Sequence, residues 1–183
     1  METLVIAGRG KHGGALVNLL FKNPDSVQVY ASDGWIISAI GAVSHASGKF
    51  GEMHLGRLSY GNVEIGMDNG VPYLRYCCGF PSDDHDGYKA VRPINKEEWR
   101  KSALVGQKPP SLNYLFKRMR EKRHGELYIA GLGRNVPNVI EASHYFRQAY
   151  DADVEDVEMG VTGNIGDIST VAAGIRIKMK QSR

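Results

Sequence analysis

Apolar residues in the second half of the chain follow two rhythms in turn. Ala103 to Gly106 is a short apolar run that ends in Gln107-Lys108-Pro109-Pro110. Paired prolines stop a strand and Ser111 is a good helix cap, so a helix is predicted from Leu112. Leu112, Leu115, Phe116 and Met119 then recur at helical spacing, with Lys117, Arg118, Arg120, Lys122 and Arg123 in the other positions. A second strand, Leu127 to Ala130, enters Gly131-Leu132-Gly133-Arg134-Asn135. The helix after it starts near Pro137, a residue tolerated in a first turn, and carries the stripe Val136, Val139, Ile140, Ser143 and Phe146. After Asp153 come Val154, Val157 and Met159, then a glycine-rich turn around Gly163, Gly166 and Asp167. The last strand, Val171 to Met179, alternates Ile175 and Ile177 with Arg176 and Lys178. The predicted order is β-α-β-α-β-β.

The same order recurs upstream, and a repeat changes the architecture inferred from every other segment. Thr3 to Ala7 is a strand, Gly13 to Lys22 a helix and Val27 to Ala31 a strand; Trp35 to Ala46 is apolar and helix-compatible. Met53 to Gly66 and Val71 to Cys78 then form a predicted hairpin around Asp68-Asn69-Gly70. The predicted fold class is α+β, with two tandem units. Residues 1–80 are the first and 101–183 the second. Residues 81–100, with Pro81, Asp83, Asp84, Asp86, Gly87 and Pro93, read as an exposed linker.

Gly106-Gln107-Lys108-Pro109, Asn113-Tyr114, Gly133-Arg134 and the closing Ser169-Thr170-Val171 strand resemble, in order and spacing, the Alba family of chromatin and RNA-binding proteins. The resemblance implies an α+β domain that dimerises and grips double-stranded DNA or RNA. It implies that Lys108, Tyr114 and Arg134 approach the nucleic-acid backbone. Gln107 stands where the first of a lysine pair is usual, and Leu132 where a further arginine is common. The hairpin from Gly160 to Asp167 is short and carries no basic residue. With two units in one chain, the family's dimer becomes an intramolecular pseudo-dimer, burying the run from Trp35-Ile36-Ile37 to Val43 against its counterpart.

Charge sharpens this picture. The chain of 183 residues carries a formal charge of only +3, but unevenly. Arg100, Lys101, Lys108, Lys117, Arg118, Arg120, Lys122, Arg123 and Arg134 face only Glu121 and Glu126 in their stretch. Glu141, Asp151, Asp153, Glu155, Asp156, Glu158 and Asp167 follow with only Arg147, and Arg176, Lys178, Lys180 and Arg183 close the chain. Clustered cations release counterions from a polyanion, so the acidic run is expected to face away from such a ligand. No apolar run reaches membrane-spanning length and no signal peptide is evident at Met1-Glu2-Thr3, which predicts an intracellular protein without membrane partners. Cytoplasmic placement is expected, nucleoid-associated or, in a eukaryote, nuclear. Cys77 and Cys78 are strand neighbours whose side chains point to opposite faces, which favours reduced packing residues over a disulfide.

The rival chemistry lies at Gly8-Arg9-Gly10-Lys11-His12-Gly13, which fits GxGxxG between a strand and a helix. Asp33 closes the next strand, near where a dinucleotide-binding fold places its ribose acid. Nucleotide binding through Gly8, Gly10, Gly13 and Asp33 is thus the alternative function. Otherwise these glycines allow a tight turn, with Arg9 and Lys11 as phosphate-facing cations. Asp83-Asp84-His85-Asp86 lacks a metal-ligand spacing, and His12, His45, His54, His124 and His144 have no assigned partner for hydrolysis. The expectation is a non-enzymatic chromatin-type protein without cofactor or metal that recognises DNA or RNA by backbone and shape, and pairs further with itself or stays a single chain. Lys108 and Arg134 are its anchors, with Tyr114 beside them and Lys117, Arg118 and Arg120 in support. Arg9 and Lys11 are second-tier contacts.

Overall fold

A computed structural model describes residues 1–22, 27–54, 60–78, 88–90, 94–108, 110–122, 125–162 and 172–182. The first half runs β1 (Glu2–Ile6), α1 (His12–Lys22), β2 (Val27–Ser32), a 3-10 turn (Asp33–Trp35), α2 (Ile36–His54), β3 (Tyr60–Asp68) and β4 (Val71–Cys78). β5 (Tyr88–Ala90) and α3 (Lys96–Arg100) connect it to the second half. There follow β6 (Ala103–Leu104), α4 (Leu112–Arg120), β7 (Glu126–Leu132), a 3-10 turn (Gly133–Asn135), α5 (Val136–Tyr150), β8 (Ala152–Thr162) and β9 (Ala172–Gln181). The fold is α+β, with two mixed sheets.

The sheet orders are β1-β2-β4-β3-β5 and β6-β7-β9-β8. In each, the two leading strands are parallel and a long antiparallel hairpin completes the sheet. A single parallel pair followed by a hairpin is not a doubly wound sheet, so Asp33 does not stand at a topological switch point. Asn69 and Gly70 have φ of 50° and 77°, the left-handed pair that a tight hairpin turn requires.

The second helices carry the core. Ile36, Ala39, Ile40, Ala42, Val43 and Ala46 of α2 are buried, and so are Val136, Val139, Ile140, Ala142, Ser143 and Phe146 of α5, in the same register. Each helix packs on its own sheet and also on the opposite hairpin: α2 reaches β8 and β9, and α5 reaches β3 and β4. The two helices touch, and their exchange with the facing sheets binds the halves into one continuous apolar core.

Two expectations change. Met53 and His54, read as strand, end α2, because Gly48 and Gly51 cost a helix only about 1 kcal/mol each and do not stop it. The segment read as an exposed linker carries structure wherever it is described. β5 adds an edge to β3, and Asn95 caps α3 by accepting from the Glu97 and Glu98 amides at 3.1 and 3.3 Å. Trp99 of α3 is buried over Gly174 of β9, where a Cβ would lie 2.8 Å from the indole and 2.5 Å from Leu132. Pro81, Asp83, Asp84, Asp86, Gly87 and Pro93 lie outside the described residues, as do His85, Ser169, Thr170 and Val171. Among the described residues no helix is long and apolar enough to cross a membrane.

Phe146→Ala should cost about 3–5 kcal/mol, the range for emptying a buried aromatic site. Because α5 covers both sheets, far-UV and near-UV signals should lose stability together in one urea transition; two separated transitions would contradict a shared core. Gly174→Ala should cost about 1–3 kcal/mol in the same assay, since a new methyl group overpacks Trp99, Leu132 and Ile94.

Candidate nucleic-acid interface

The loops that carry Lys108 and Arg134 leave the same end of the second sheet. β6 and β7 are parallel, with Ala103 opposite Ile129 and Leu104 opposite Ala130, and the Val105 amide donates to the Ala130 carbonyl at 2.8 Å. Asn138 in the first turn of α5 donates through Nδ2 to the Gly106 carbonyl at 3.3 Å, tying the two exits together. Lys108 and Arg134 are both exposed, and among the described residues neither has a carboxylate partner. Gly133 makes the turn into α5 at φ 56°, a conformation that disfavours side chains. Gly131 is needed for a different reason: a Cβ there would lie 2.6 Å from Val139.

α4 presents its cations as its periodicity predicts. Leu115 and Met119 are buried and Leu112 and Phe116 pack beside them. Ser111 caps the helix, its Oγ accepting from the Tyr114 amide at 3.2 Å. Within the Asn-Tyr pair the roles divide. Asn113 accepts from the Tyr150 hydroxyl at 3.2 Å and anchors α4 to α5, whereas Tyr114 is 45% exposed. Lys117 is exposed; Arg118 donates to the Lys101 carbonyl at 3.3 Å. The Arg120 guanidinium lies 5.6 Å from the Phe116 ring centre, and that ring stacks on Tyr150 at 4.4 Å. A cation resting on an aromatic face keeps its charge while losing freedom. Arg123 and Pro109 lie outside the described residues.

The acidic run does not simply face elsewhere; its carboxylates pair with the cations of the neighbouring strand. Arg176 of β9, buried, donates to Glu158 of β8 at 3.0 Å and to Ser102 at 3.1 Å, and its guanidinium lies 4.0 Å from the Tyr128 ring centre. Lys178 pairs with Glu126 at 3.2 Å and with Glu155, which Lys180 also approaches at 3.5 Å. The hydrogen bond from Lys178 holds the Glu155 carboxyl below the usual carboxylate range, and the same contact raises the Lys178 ammonium. A cross-strand Arg–Glu pair recurs in the first sheet, where Arg75 meets Glu64 at 2.8 Å and lies 6.0 Å from the Tyr30 and Tyr73 rings. The registers make these pairs equivalent, since Arg75 faces Tyr30 and Glu64 while Arg176 faces Ala130 and Glu158. Sequence reasoning missed the pair. Opposite charges at alternate positions on two hairpin strands were the available signal.

The corresponding end of the first sheet is built differently. Register aligns Ile6 with Val105, so Arg9 occupies the place of Lys108. Arg9 and Lys11 are exposed. Asp33 matches Gly133, at φ 50°, and Gly34 stands where the other half has Arg134. The first half therefore has no cation in its second loop. It has instead a cleft of about 640 Å³ whose walls include Arg9, Lys11, His12, Trp35, Ser38 and His45. The His12 ring is pinned by a 2.6 Å contact from Nε2 to the Gly8 carbonyl, and a Cβ at Gly13 would lie 2.7 Å from His45. Asp33 is not among the residues that line the cleft.

Burial raises the Cys77 thiol, which keeps it protonated near neutral pH. The Asp83-Asp84-His85-Asp86 segment lies outside the described residues, and among the described residues no three His, Cys, Asp or Glu side chains gather as metal ligands.

The depressed Glu155 carboxyl sets a pH dependence. A group whose folded pKa is lowered stabilises the fold above its unfolded pKa, and that contribution fades as pH falls through the folded value. Thermal stability should drop below the ordinary carboxylate range, and Lys178→Met should flatten that acid limb; an unchanged limb would remove the Glu155–Lys178 pair from the account. Comparison with protein-family models and with curated proteins finds no match for the chain.

Proposed function

We propose that the chain is a nucleic-acid-binding protein that grips the sugar-phosphate backbone of DNA or RNA with the second half of its fold. In this reading the two halves are Alba-like units, and their shared core stands in for a dimer interface. One observation carries the proposal: Lys108 and Arg134 leave neighbouring parallel strands at one sheet end, both exposed and without a carboxylate partner among the described residues. Two cations at one end form a cradle for successive phosphates, and Tyr114 at the start of α4 offers a ring or a hydroxyl beside them.

Charge accounting supports the same surface. Arg176, Lys178 and Lys180 are committed to carboxylates, while Lys117 is exposed and Arg118 and Arg120 keep their charge. The field available to a polyanion therefore concentrates around α4 and the two loops. Backbone contacts recognise shape and charge, so base sequence should matter little. The first half contributes Arg9 and Lys11 as secondary contacts. The protein acts within the cell, on chromatin or on RNA, without catalysing a reaction.

Binding to duplex DNA, duplex RNA and single strands, followed by fluorescence anisotropy across a salt series, tests this. Each phosphate contact contributes about 0.9 to the salt slope on B-form duplex, so Lys108→Ala with Arg134→Ala should lower it by about 2. Lys180→Ala, which removes a paired cation, should leave the slope unchanged. Equal slopes for the double variant and the unaltered protein would refute the assignment.

A further inference from the structure

The cleft of the first half has a composition that the open loops of the second half lack. Trp35 and His45 supply flat rings, while Arg9 and Lys11 supply positive charge. Among the described residues no carboxylate lines it. A volume of about 640 Å³ is ample for one small molecule. Glycines shape the space: a Cβ at Gly14 or Gly41 would meet nothing within 4 Å, and Gly13 lets the His45 ring pack where its own Cβ would lie 2.7 Å away. The alignment of the halves shows the contrast, because prolines and Leu112 follow Lys108 where Gly10, Lys11 and Gly13 follow Arg9.

From these residues we propose that the cleft binds a single nucleotide unit, with its base on the Trp35 and His45 rings and its phosphate between Arg9 and Lys11. Cations without competing carboxylates select an anion, and an indole selects a ring, so the two demands together describe a nucleobase joined to a phosphate. A free nucleoside monophosphate and the phosphorylated end of a strand share that chemistry. Such a site is separate from the anchors of the proposed backbone grip, Lys108 and Arg134, and shares with that grip only the secondary contacts Arg9 and Lys11. It also differs from dinucleotide binding, because Asp33 lies off the cleft and the sheet is not doubly wound.

Tryptophan emission gives a direct readout. The chain has two tryptophans, and Trp99 is buried under the other half, so quenching by a ligand in the cleft reports Trp35. The full chain is titrated with adenosine 5′-monophosphate, adenosine and inorganic phosphate. The monophosphate should quench, with each fragment weaker by about tenfold or more, the loss expected when one charge-assisted contact set is removed. Trp35→Phe should abolish the quench. Arg9→Ala with Lys11→Ala, both on exposed side chains, should bring the monophosphate down to the affinity of adenosine. The Lys108→Ala, Arg134→Ala protein should bind the monophosphate normally, so failure of the backbone grip and failure of this cleft are separable. Competition by a 5′-phosphorylated oligonucleotide, but not by its 5′-hydroxyl form, identifies strand ends as the source; competition by neither identifies the free nucleotide. Absence of quenching, or equal affinity for the monophosphate and adenosine, would overturn the proposal.

Discussion

The second helices cannot be satisfied within their own halves. α2 lies on β2 and reaches β8 and β9, while α5 lies on β7 and β9 and reaches β3 and β4. The six matched buried positions on each helix are covered from two sides, by its own sheet and by the opposite hairpin. Exchange across the halves removes both stripes from water at once, and the apolar area withdrawn is the dominant favourable term of the fold. The constraint also places the candidate loops. Each 3-10 turn joins a strand to one of these helices, so the packing of α2 and α5 fixes where Trp35 and Arg134 emerge. The positive φ of Asp33 and Gly133 is the local cost of making that turn in one step.

Electrostatics then divides the surface. Carboxylates on β8 and cations on β9 are cross-strand neighbours, and the ammonium of Lys178 sits between Glu126 and Glu155. Exposed pairs of this sort contribute little stability, but they leave the cations of the hairpin with no free charge to offer a polyanion. Arg176 is another case. It is buried, and removing one partner would leave a charge in a site closed by α3 and Tyr128. With the three cations of β9 paired to carboxylates, the positive potential of the second half belongs to α4 and the loops at its end. A protein with a formal charge of +3 can thereby present one face to a polyanion.

Much of this was legible in the sequence, within definite bounds. The stripes Leu112, Leu115, Phe116, Met119 and Val136, Val139, Ile140, Ser143, Phe146 named the inward faces, and Pro110 and Ser111 marked the start of α4. Periodicity shows that a face is covered, not what covers it, so the reach of α5 onto β3 and β4 left no trace. The burial of Arg176, which the alternation with Ile175 and Ile177 puts on the other strand face, left no trace because its cover comes from α3, in a segment whose prolines and aspartates suggest an exposed connection. Lys108 and Arg134 were found through the turn chemistry around them. The cleft was not, because its walls join glycines near residue 10 to Trp35 and His45, and an absence of side chains has no sequence signature until the fold brings such residues together.

The two halves solve one backbone problem with different residues, and the difference bears on function. Where the chain turns from strand to second helix, the first half has Asp33-Gly34 and the second Gly133-Arg134. Aspartate tolerates a left-handed φ better than most side chains, so the turn survives, but its charge opposes a phosphate approaching that loop. Before α4, Lys108 is exposed, and Pro110, whose ring fixes φ, precedes the cap Ser111. Arg9 is followed by glycine, which lets the His12 ring pack where a Cβ would lie 3.3 Å from it and adds no side chain of its own. Stiffness with outward charge suits a long polyanion that slides over a surface. Openness with cations at the rim and an indole wall suits one small anion, so in the proposed reading equal topology serves two unlike ligands.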